Sequence, residues 1–334
     1  MPNTVTLDQV ARRAGVSPST VSRILNGTAV VSDDKRRAVE DAIRDLGYVP
    51  NPVARGLAGG RTLSIGVVTQ AIDSPFYGGA LRGIEDVLAG AGYSPLFVSG
   101  HWHADEEARC IDILRSRRVD GLIVLTGRLS DAALRSLARQ LPVVVTGRRL
   151  KAPGLASMEF DDESGARLAT EHLLSLGHRK IAFIGGDPLH PDARGRERGF
   201  RAALSDAGVA VDESLVESGG YLEEGGCAAV DRLITAGRRF SAVFAANDQM
   251  AFGAALALHR HGLVVPGAVS LVGFDDLATS SYCVPPLTTV HQPVQELGRL
   301  AAQAMLVLLS GGKPDVKLPA ARLAVRESTA PPAA

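Results

Sequence analysis

Residues 63–274 alternate short apolar runs with amphipathic segments, and that alternation constrains the fold more than any other property of the sequence. A first set comprises 63–68, 78–89, 95–99, 105–118, 119–125, 131–139 and 143–145. A second set begins near 158–160 and continues through 165–176, 181–185, 194–207, 222–236, 242–245, 249–261 and 269–274. Strand, helix, strand in regular succession predicts parallel, doubly wound sheets, here two of them. With 334 residues, 46% of them hydrophobic, the chain can bury a sizeable core and holds more than one domain.

The N-terminal residues read differently. Thr6 can cap a helix while Gln9 closes the capping box, and Leu7, Val10, Ala11 and Ala14 fall on one helical face. Gly15 suits the left-handed residue that ends this helix, and Ser17 caps a second one whose first turn tolerates Pro18. Val21, Ile24 and Leu25 turn inward, leaving Pro18, Ser19, Ser22, Arg23 and Asn26 outside. Ser32 is expected to cap a third helix, with Val39, Ala42, Ile43 and Leu46 inside, Lys35-Arg36-Arg37 in its first turns and Gly47 as its stop. Two helices joined by so short a break have the spacing of a helix-turn-helix, which serves DNA readers and protein-binding domains alike.

The residues that follow narrow the choice. Thr6-Leu7-Asp8-Gln9-Val10-Ala11, Ala14-Gly15-Val16-Ser17, Thr20-Val21-Ser22-Arg23, Asn26-Gly27, Gly47-Tyr48-Val49-Pro50-Asn51 and Ala54-Arg55-Gly56-Leu57-Ala58 resemble the headpiece and hinge of the lactose/galactose-repressor (LacI/GalR) family. The resemblance runs through nearly the whole chain. It implies an all-α helix-turn-helix headpiece over 4–58 with a hinge helix at 50–60. A two-lobed body over 61–326 follows, like that of periplasmic sugar-binding proteins, with two doubly wound parallel sheets. The N-lobe spans about 61–160 and 292–319, and the C-lobe about 161–290 and 320–326, joined by three crossovers near Phe160-Asp161, Val290-His291-Gln292 and residues 318–322.

The same resemblance implies roles. DNA-contacting positions are Thr6, Pro18, Ser19, Thr20, Arg23, Asn26, Asn51, Arg55, Leu57 and Ala58. Arg23 can be bidentate to guanine, and Leu57 matches a wedge pushed between base steps of the minor groove. One headpiece reads one half-site, so a pseudo-palindromic double-stranded DNA operator requires a homodimer, formed through segments near 82–88, 249–259 and 282–286. Between the lobes, Arg196, Asn247 and Asp275 match the main effector-contacting positions, Tyr221 an aromatic one, and Gln70, Phe76, Tyr77 and Asp192 more variable lining positions. Their chemistry suits a sugar: a guanidinium holds vicinal oxygens, an amide donates and accepts, and a carboxylate accepts from hydroxyls. Asp248 and Asp276 read instead as helix caps, and Arg194 and Arg198 as surface or ion-pair residues. Gly147, where the family often has a carboxylate, and Val294, where an aromatic can cover the sugar, depart from the pattern and leave the effector's identity open.

Basic and acidic residues number 36 each, so the chain is no polycation. Residues 1–60 carry eight basic and six acidic side chains, a bias that permits DNA binding without arguing for it. No apolar run approaches the about 18 residues a membrane helix needs, and no signal peptide opens the chain, so a cytoplasmic location without membrane attachment is expected. Cys110, Cys227 and Cys283 are too scattered for a disulfide frame or zinc site. His101-Trp102-His103 lacks a third metal ligand and reads as a solvated loop. No nucleophile elbow or phosphate loop appears, so neither an enzyme nor a resident cofactor is expected. The expected function is a transcriptional regulator, a repressor, whose operator affinity responds to a sugar. The alternatives are a ligand carrier without regulatory role, and a co-repressor-dependent regulator of non-sugar metabolism.

Overall fold

The computed structural model describes residues 5–25, 31–48 and 61–333. The expected hinge at 50–60, with Asn51, Arg55, Leu57 and Ala58, and also Asn26, lie outside the described residues. The chain divides into two compact units, Met1–Ser64 with Arg118–Asp120, and Ile65–Arg117 with Gly121–Ala334.

In the first unit, helices α1 (Leu7–Ala14), α2 (Pro18–Leu25) and α3 (Asp33–Leu46) close around Val10, Ala11, Val21, Ile24, Val39 and Ala42. The capping box forms as the sequence indicates: Gln9 N–H donates to the Thr6 hydroxyl at 3.4 Å, and Thr6 N–H to Gln9 Oε1 at 2.7 Å. Gly15 and Gly47 both take the left-handed conformation that ends a helix. Ser17 Oγ accepts from Thr20 N–H at 3.2 Å, so Thr20 belongs to the cap of α2. Ser32 stands at the N-cap of α3 but its side chain makes no capping bond; the first-turn Asp33 and Asp34 place favourable charge there instead. In the same unit Thr62 and Leu63 donate their N–H groups to the two Asp120 carboxylate oxygens at 2.8 Å each.

The second unit carries two sheets. Strands β1 (Ser64–Thr69), β2 (Ser94–Ser99), β3 (Gly121–Val124), β4 (Val143–Thr146) and β5 (Leu155–Met158) form the N-lobe sheet in the order β2-β1-β3-β4-β5. Helices α4 (Pro75–Gly90), α5 (Ala104–Ser116) and α6 (Asp131–Ala138) connect them. The C-lobe sheet runs β11-β10-β9-β8-β6-β7, from β6 (Ile181–Gly185), β7 (Val216–Ser218), β8 (Ala242–Ala245), β9 (Ser270–Asp275), β10 (Thr288–His291) and β11 (Arg322–Ala324). Its helices are α7 (Asp162–Ser175), α8 (Pro191–Asp206), α9 (Glu223–Thr235) and α10 (Asp248–Arg260). Helix α11 (Val294–Leu309) returns to the N-lobe and packs on α4 so closely that a Cβ on Gly83 would lie 2.1 Å from the Gln295 carbonyl oxygen.

Two differences from the sequence reading stand out. The chain leaves the N-lobe sheet at Met158, so 159–161 is crossover and the strand lies earlier, at Leu155–Met158. The C-lobe sheet is mixed: β11 pairs antiparallel with β10, because the last crossover brings the chain back along the outer edge. No helix among the described residues is long and apolar enough to cross a membrane.

The body also extends past 326. Ser328, 1% exposed, donates to the Leu271 carbonyl at 2.6 Å and accepts from Thr288 N–H at 2.8 Å. His178 Nε2 lies 2.9 Å from the Ala330 carbonyl, which can only accept, so Nε2 carries the proton and Nδ1 accepts from the Ser241 hydroxyl at 2.8 Å. His172 Nε2 reaches Thr329 Oγ1 at 2.9 Å. Burial pushes both imidazoles below their usual pKa. An unfolded chain therefore takes up these protons first as pH falls. The stability they lend is complete above about pH 6.5 and is lost progressively below it. Urea unfolding should show the decline, less steep in His178→Gln, and Ser328→Ala should cost about 1–3 kcal/mol at neutral pH. An unchanged unfolding midpoint in Ser328→Ala would contradict this tie.

Candidate functional site

The C-terminal ends of strands from both lobes face a cavity of about 780 Å3, where open α/β sheets bind ligands. At its base lies Arg196, 3% exposed, projecting from α8. Its Nε donates to Asp162 Oδ1 at 2.9 Å, Nη1 to the Ala246 carbonyl, and Nη2 to Gln292 Oε1 at 3.3 Å. The guanidinium carbon sits 3.8 Å above the Phe274 ring and 5.7 Å from that of Tyr221. Burial works against the charge, but Asp162, with Tyr221, Asp275 and Asp192, holds the guanidinium's pKa above its ordinary value. The same burial pushes Asp162 up to about 6 against the pull of Arg196.

Asp275 ends β9 with φ 110°, a conformation few non-glycine residues adopt, and burial raises its pKa well above the carboxylate range. Its Oδ1 stands 3.4 Å from Arg196 Nη1 yet makes no hydrogen bond. Tyr221, at φ 69° in the loop before α9, leaves its buried hydroxyl likewise unpartnered. Asp192 Oδ1, in the first turn of α8, is a third such atom. Buried polar atoms without partners are costly, and their clustering on one cavity wall marks a surface made to meet oxygens.

Of the residues singled out from sequence, Arg196, Asn247, Asp275, Tyr221, Phe76, Tyr77 and Asp192 all line this cavity. Gln70 does not. It lies fully buried, its amide donating to the Thr126 carbonyl at 2.7 Å and accepting from Trp102 N–H at 2.8 Å, and so braces two loops. Asn247 caps α10, accepting from Met250 N–H at 2.9 Å, while its Nδ2 donates to the Tyr221 carbonyl at 3.0 Å. Asp248 and Asp276, expected as caps, are not. The Asp248 carboxylate accepts from Leu277 N–H, Ser280 Oγ and Thr289 Oγ1 at 2.8, 2.5 and 2.5 Å, and burial pushes its pKa up to about 6. Asp276 pairs with His291 and Arg326 at 2.8 and 2.6 Å. Arg198 pairs with Glu163 at 3.0 Å, and Arg194 donates to the Pro188 carbonyl at 2.9 Å.

Beside this wall, where the two lobes meet, the cavity uses residues that no local motif announced. Trp102 and His190 stack with centroids 3.8 Å apart, and Arg128 pairs with Asp187 at 2.6 Å, each contact joining the lobes. His101 and His103, which flank Trp102, are exposed. Gly147 has φ 74°, and a Cβ there would lie 2.6 Å from Thr126 Oγ1, so a carboxylate side chain at that position would be strained and would displace Thr126. Arg148 instead donates to the carbonyls of Gly127 and Leu129, fixing the loop that carries Arg128. Val294 is buried away from this cavity, in a neighbouring depression.

Asp162→Ala, which strips its main counter-ion from a buried guanidinium, is expected to cost about 3–5 kcal/mol in urea unfolding. Tyr221→Phe removes only an unpartnered hydroxyl and should stay within about 0.5 kcal/mol of the parent chain. Equal effects of the two would show that Asp162 does not anchor Arg196.

Comparison with known proteins agrees with this geometry. The model for bacterial regulatory proteins of the lacI family matches residues 6–51, and that for a periplasmic binding protein-like domain matches residues 170–329. HTH-type transcriptional regulator GalR of Escherichia coli (strain K12) is 38% identical over 305 residues, covering 91% of this chain and 89% of that protein. HTH-type transcriptional repressor PurR of Haemophilus influenzae is 36% identical over 305 residues, 90% of each. Among solved structures, the lac repressor dimer bound to operator and the anti-inducer ONPF has 31% identity and a TM-score of 0.86, covering 98% of this chain and 100% of that one. The complex of the transcriptional regulator CelR with cellobiose has 34% identity and a TM-score of 0.70, covering 97% and 99%. A helix-turn-helix headpiece ahead of a two-lobed body, with identity of this order along nearly the full length, establishes that the chain belongs to the lacI family of bacterial regulatory proteins.

Proposed function

We propose that this chain is a cytoplasmic, homodimeric repressor that binds a pseudo-palindromic DNA operator and releases it when an uncharged sugar or glycoside occupies the cleft. The observation that carries the reading is the cavity wall on which the unpartnered atoms of Asp192, Tyr221 and Asp275 surround the anchored Arg196. Carboxyl and phenol oxygens beside a fixed cation suit a ring of hydroxyls, and even without Asp275, whose neutral form burial favours, the cavity's carboxylates outnumber its guanidiniums, which disfavours an anionic effector. The cellobiose complex of CelR is a related body with a sugar bound.

On the headpiece, Pro18, Ser19 and Arg23 are exposed along α2, where a recognition helix meets base edges. Arg23 supplies the guanine contact, Pro18 and Ser19 shape and a hydroxyl. Thr6 and Thr20, tied into caps, hold α1 and α2 in place and offer backbone-level contacts. Asn26, Asn51, Arg55, Leu57 and Ala58 complete the DNA surface by family resemblance. The dimer forms through the C-lobe face around Phe252, His259 and Pro285, where Tyr282 and Val284 are 86% and 95% exposed beside a mainly apolar depression of about 850 Å3. Effector binding changes the relation of the lobes and thereby operator affinity.

A DNA-shift titration on the upstream region of the chain's own gene, with and without a panel of neutral sugars, tests this directly. Sequence-specific retardation relieved by at least one sugar is the expected outcome, and no specific shift under any condition would overturn it. Asp275→Asn should retain operator binding while weakening the sugar response by about tenfold or more. Arg23→Ala should cost about 1–3 kcal/mol of operator discrimination.

A further inference from the structure

On one flank of the cleft the two lobes touch through their own side chains. Arg128, in the N-lobe loop after β3, reaches Asp187, in the C-lobe loop after β6, with Nη2 2.6 Å from Oδ2. The indole of Trp102 lies on the ring of His190 with centroids 3.8 Å apart and planes inclined by 22°. The two contacts interlock. His190 Nε2 lies 3.3 Å from Arg128 Nη2 and 3.6 Å from Asp187 Oδ2, so the ring finds a partner whether that nitrogen accepts or donates.

Each half is mounted firmly on its own lobe. Fully buried Glu107 accepts N–H bonds from Arg128 at 2.8 and 3.0 Å and from Leu129 at 3.0 Å, which fixes the backbone of Arg128 while its guanidinium faces the C-lobe. Trp102, at φ 59°, donates its N–H to Gln70 Oε1 at 2.8 Å, and Tyr77 of the same lobe lies 6.2 Å from its ring. On the C-lobe, Asp187 Oδ1 accepts from Leu189 N–H at 2.9 Å and the Asp187 carbonyl from His190 N–H at 2.9 Å, so acid and imidazole move as one piece. The Leu189 N–H first, then His190 and Arg128, hold the Asp187 carboxyl below the usual range and keep it ionised. Contacts mounted in this way form and break together as lobes close or part. The Arg128 and Asp187 side chains are 31% and 35% exposed, so dissolved ions screen their attraction. A pair this exposed shifts an equilibrium by about fivefold at most, enough to bias the lobes and too little to lock them.

We propose that Arg128, Asp187, Trp102 and His190 form a clasp that holds the lobes together on this flank by side-chain contacts alone, with a grip that ionic strength tunes. The clasp goes beyond the reading of the cleft as a sugar site and does not depend on which ligand the cleft takes. An effector moves the lobes only by the difference in its affinity for the clasped and the parted forms. The clasp therefore sets the resting equilibrium against which any effector works.

Trp102 is the chain's single tryptophan, so its emission reports the clasp directly in the full chain. Acrylamide is uncharged, and its quenching reads access to the indole and not the local field. Quenching is expected to rise with sodium chloride in the parent chain. In Asp187→Asn it should be higher at low salt and insensitive to salt, with the ratio of parted to clasped lobes up by about fivefold at most, and Arg128→Gln should match it. Combining Arg128→Asp with Asp187→Arg restores the pair with its signs exchanged and should recover the low, salt-sensitive quenching, whereas residues with a merely structural role would be damaged further by the second change. Circular dichroism melting establishes that each variant is folded, and the salt titration of the parent chain needs no variant at all. Quenching indifferent to salt in the parent chain, or an exchanged pair no better protected than the single variants, overturns the clasp.

Discussion

A single buried guanidinium organises this molecule. Arg196 cannot be left charged in the interior without partners, and its partners come from distant parts of the chain: Asp162 in the first turn of α7, Ala246 after β8, Gln292 at a crossover, and Phe274 at the end of β9. Satisfying one charge therefore gathers the strand ends of the C-lobe and a lobe crossover around one point. Because Gln292 belongs to a crossover, whatever touches Arg196 is linked to a segment that joins the two lobes. Much of the guanidinium's hydrogen-bonding capacity is already taken, which makes it foremost an anchor that presents Asp275 and Tyr221.

Those two residues show where the protein stores strain. Tyr221 and Asp275 both occupy left-handed backbone conformations without being glycine, and both leave a buried polar atom unpartnered. Each feature costs stability, and a surrounding fold tolerates such costs mainly at sites whose occupant relieves them. In the proposed function an effector would supply the missing hydrogen bonds, and its binding energy could then be directed into the relation between lobes.

The alternation of apolar runs and amphipathic helices made most of the two sheets legible, because a strand–helix–strand repeat has few folded solutions. Strands β7, β10 and β11 escaped it, being three or four residues long and defined by pairing. Caps written in local chemistry, such as Thr6 with Gln9 and the glycines after α1 and α3, were readable; Ser32 has the right residue type yet makes no capping bond. The C-lobe side of the cavity could be read because its residues follow strand ends. Gln70 has the same placement but is turned inward by two backbone groups. Trp102, Arg128 and His190 gave no signal, since their roles arise from contacts across the cleft, between residues 62 and 88 positions apart in the chain's two lobes for which no spacing rule exists; Trp102, read as part of a solvated loop, is half-buried against His190.

In the proposed function, cleft and headpiece are thermodynamically coupled. Coupling is reciprocal, so it can be read from the ligand side. That coupling is read by calorimetric titration of the full-length protein with a sugar that binds it, once alone and once saturated with operator DNA. Sugar should bind more weakly on the operator, by the same factor with which the sugar weakens operator binding. Identical sugar affinity in the two titrations would contradict it.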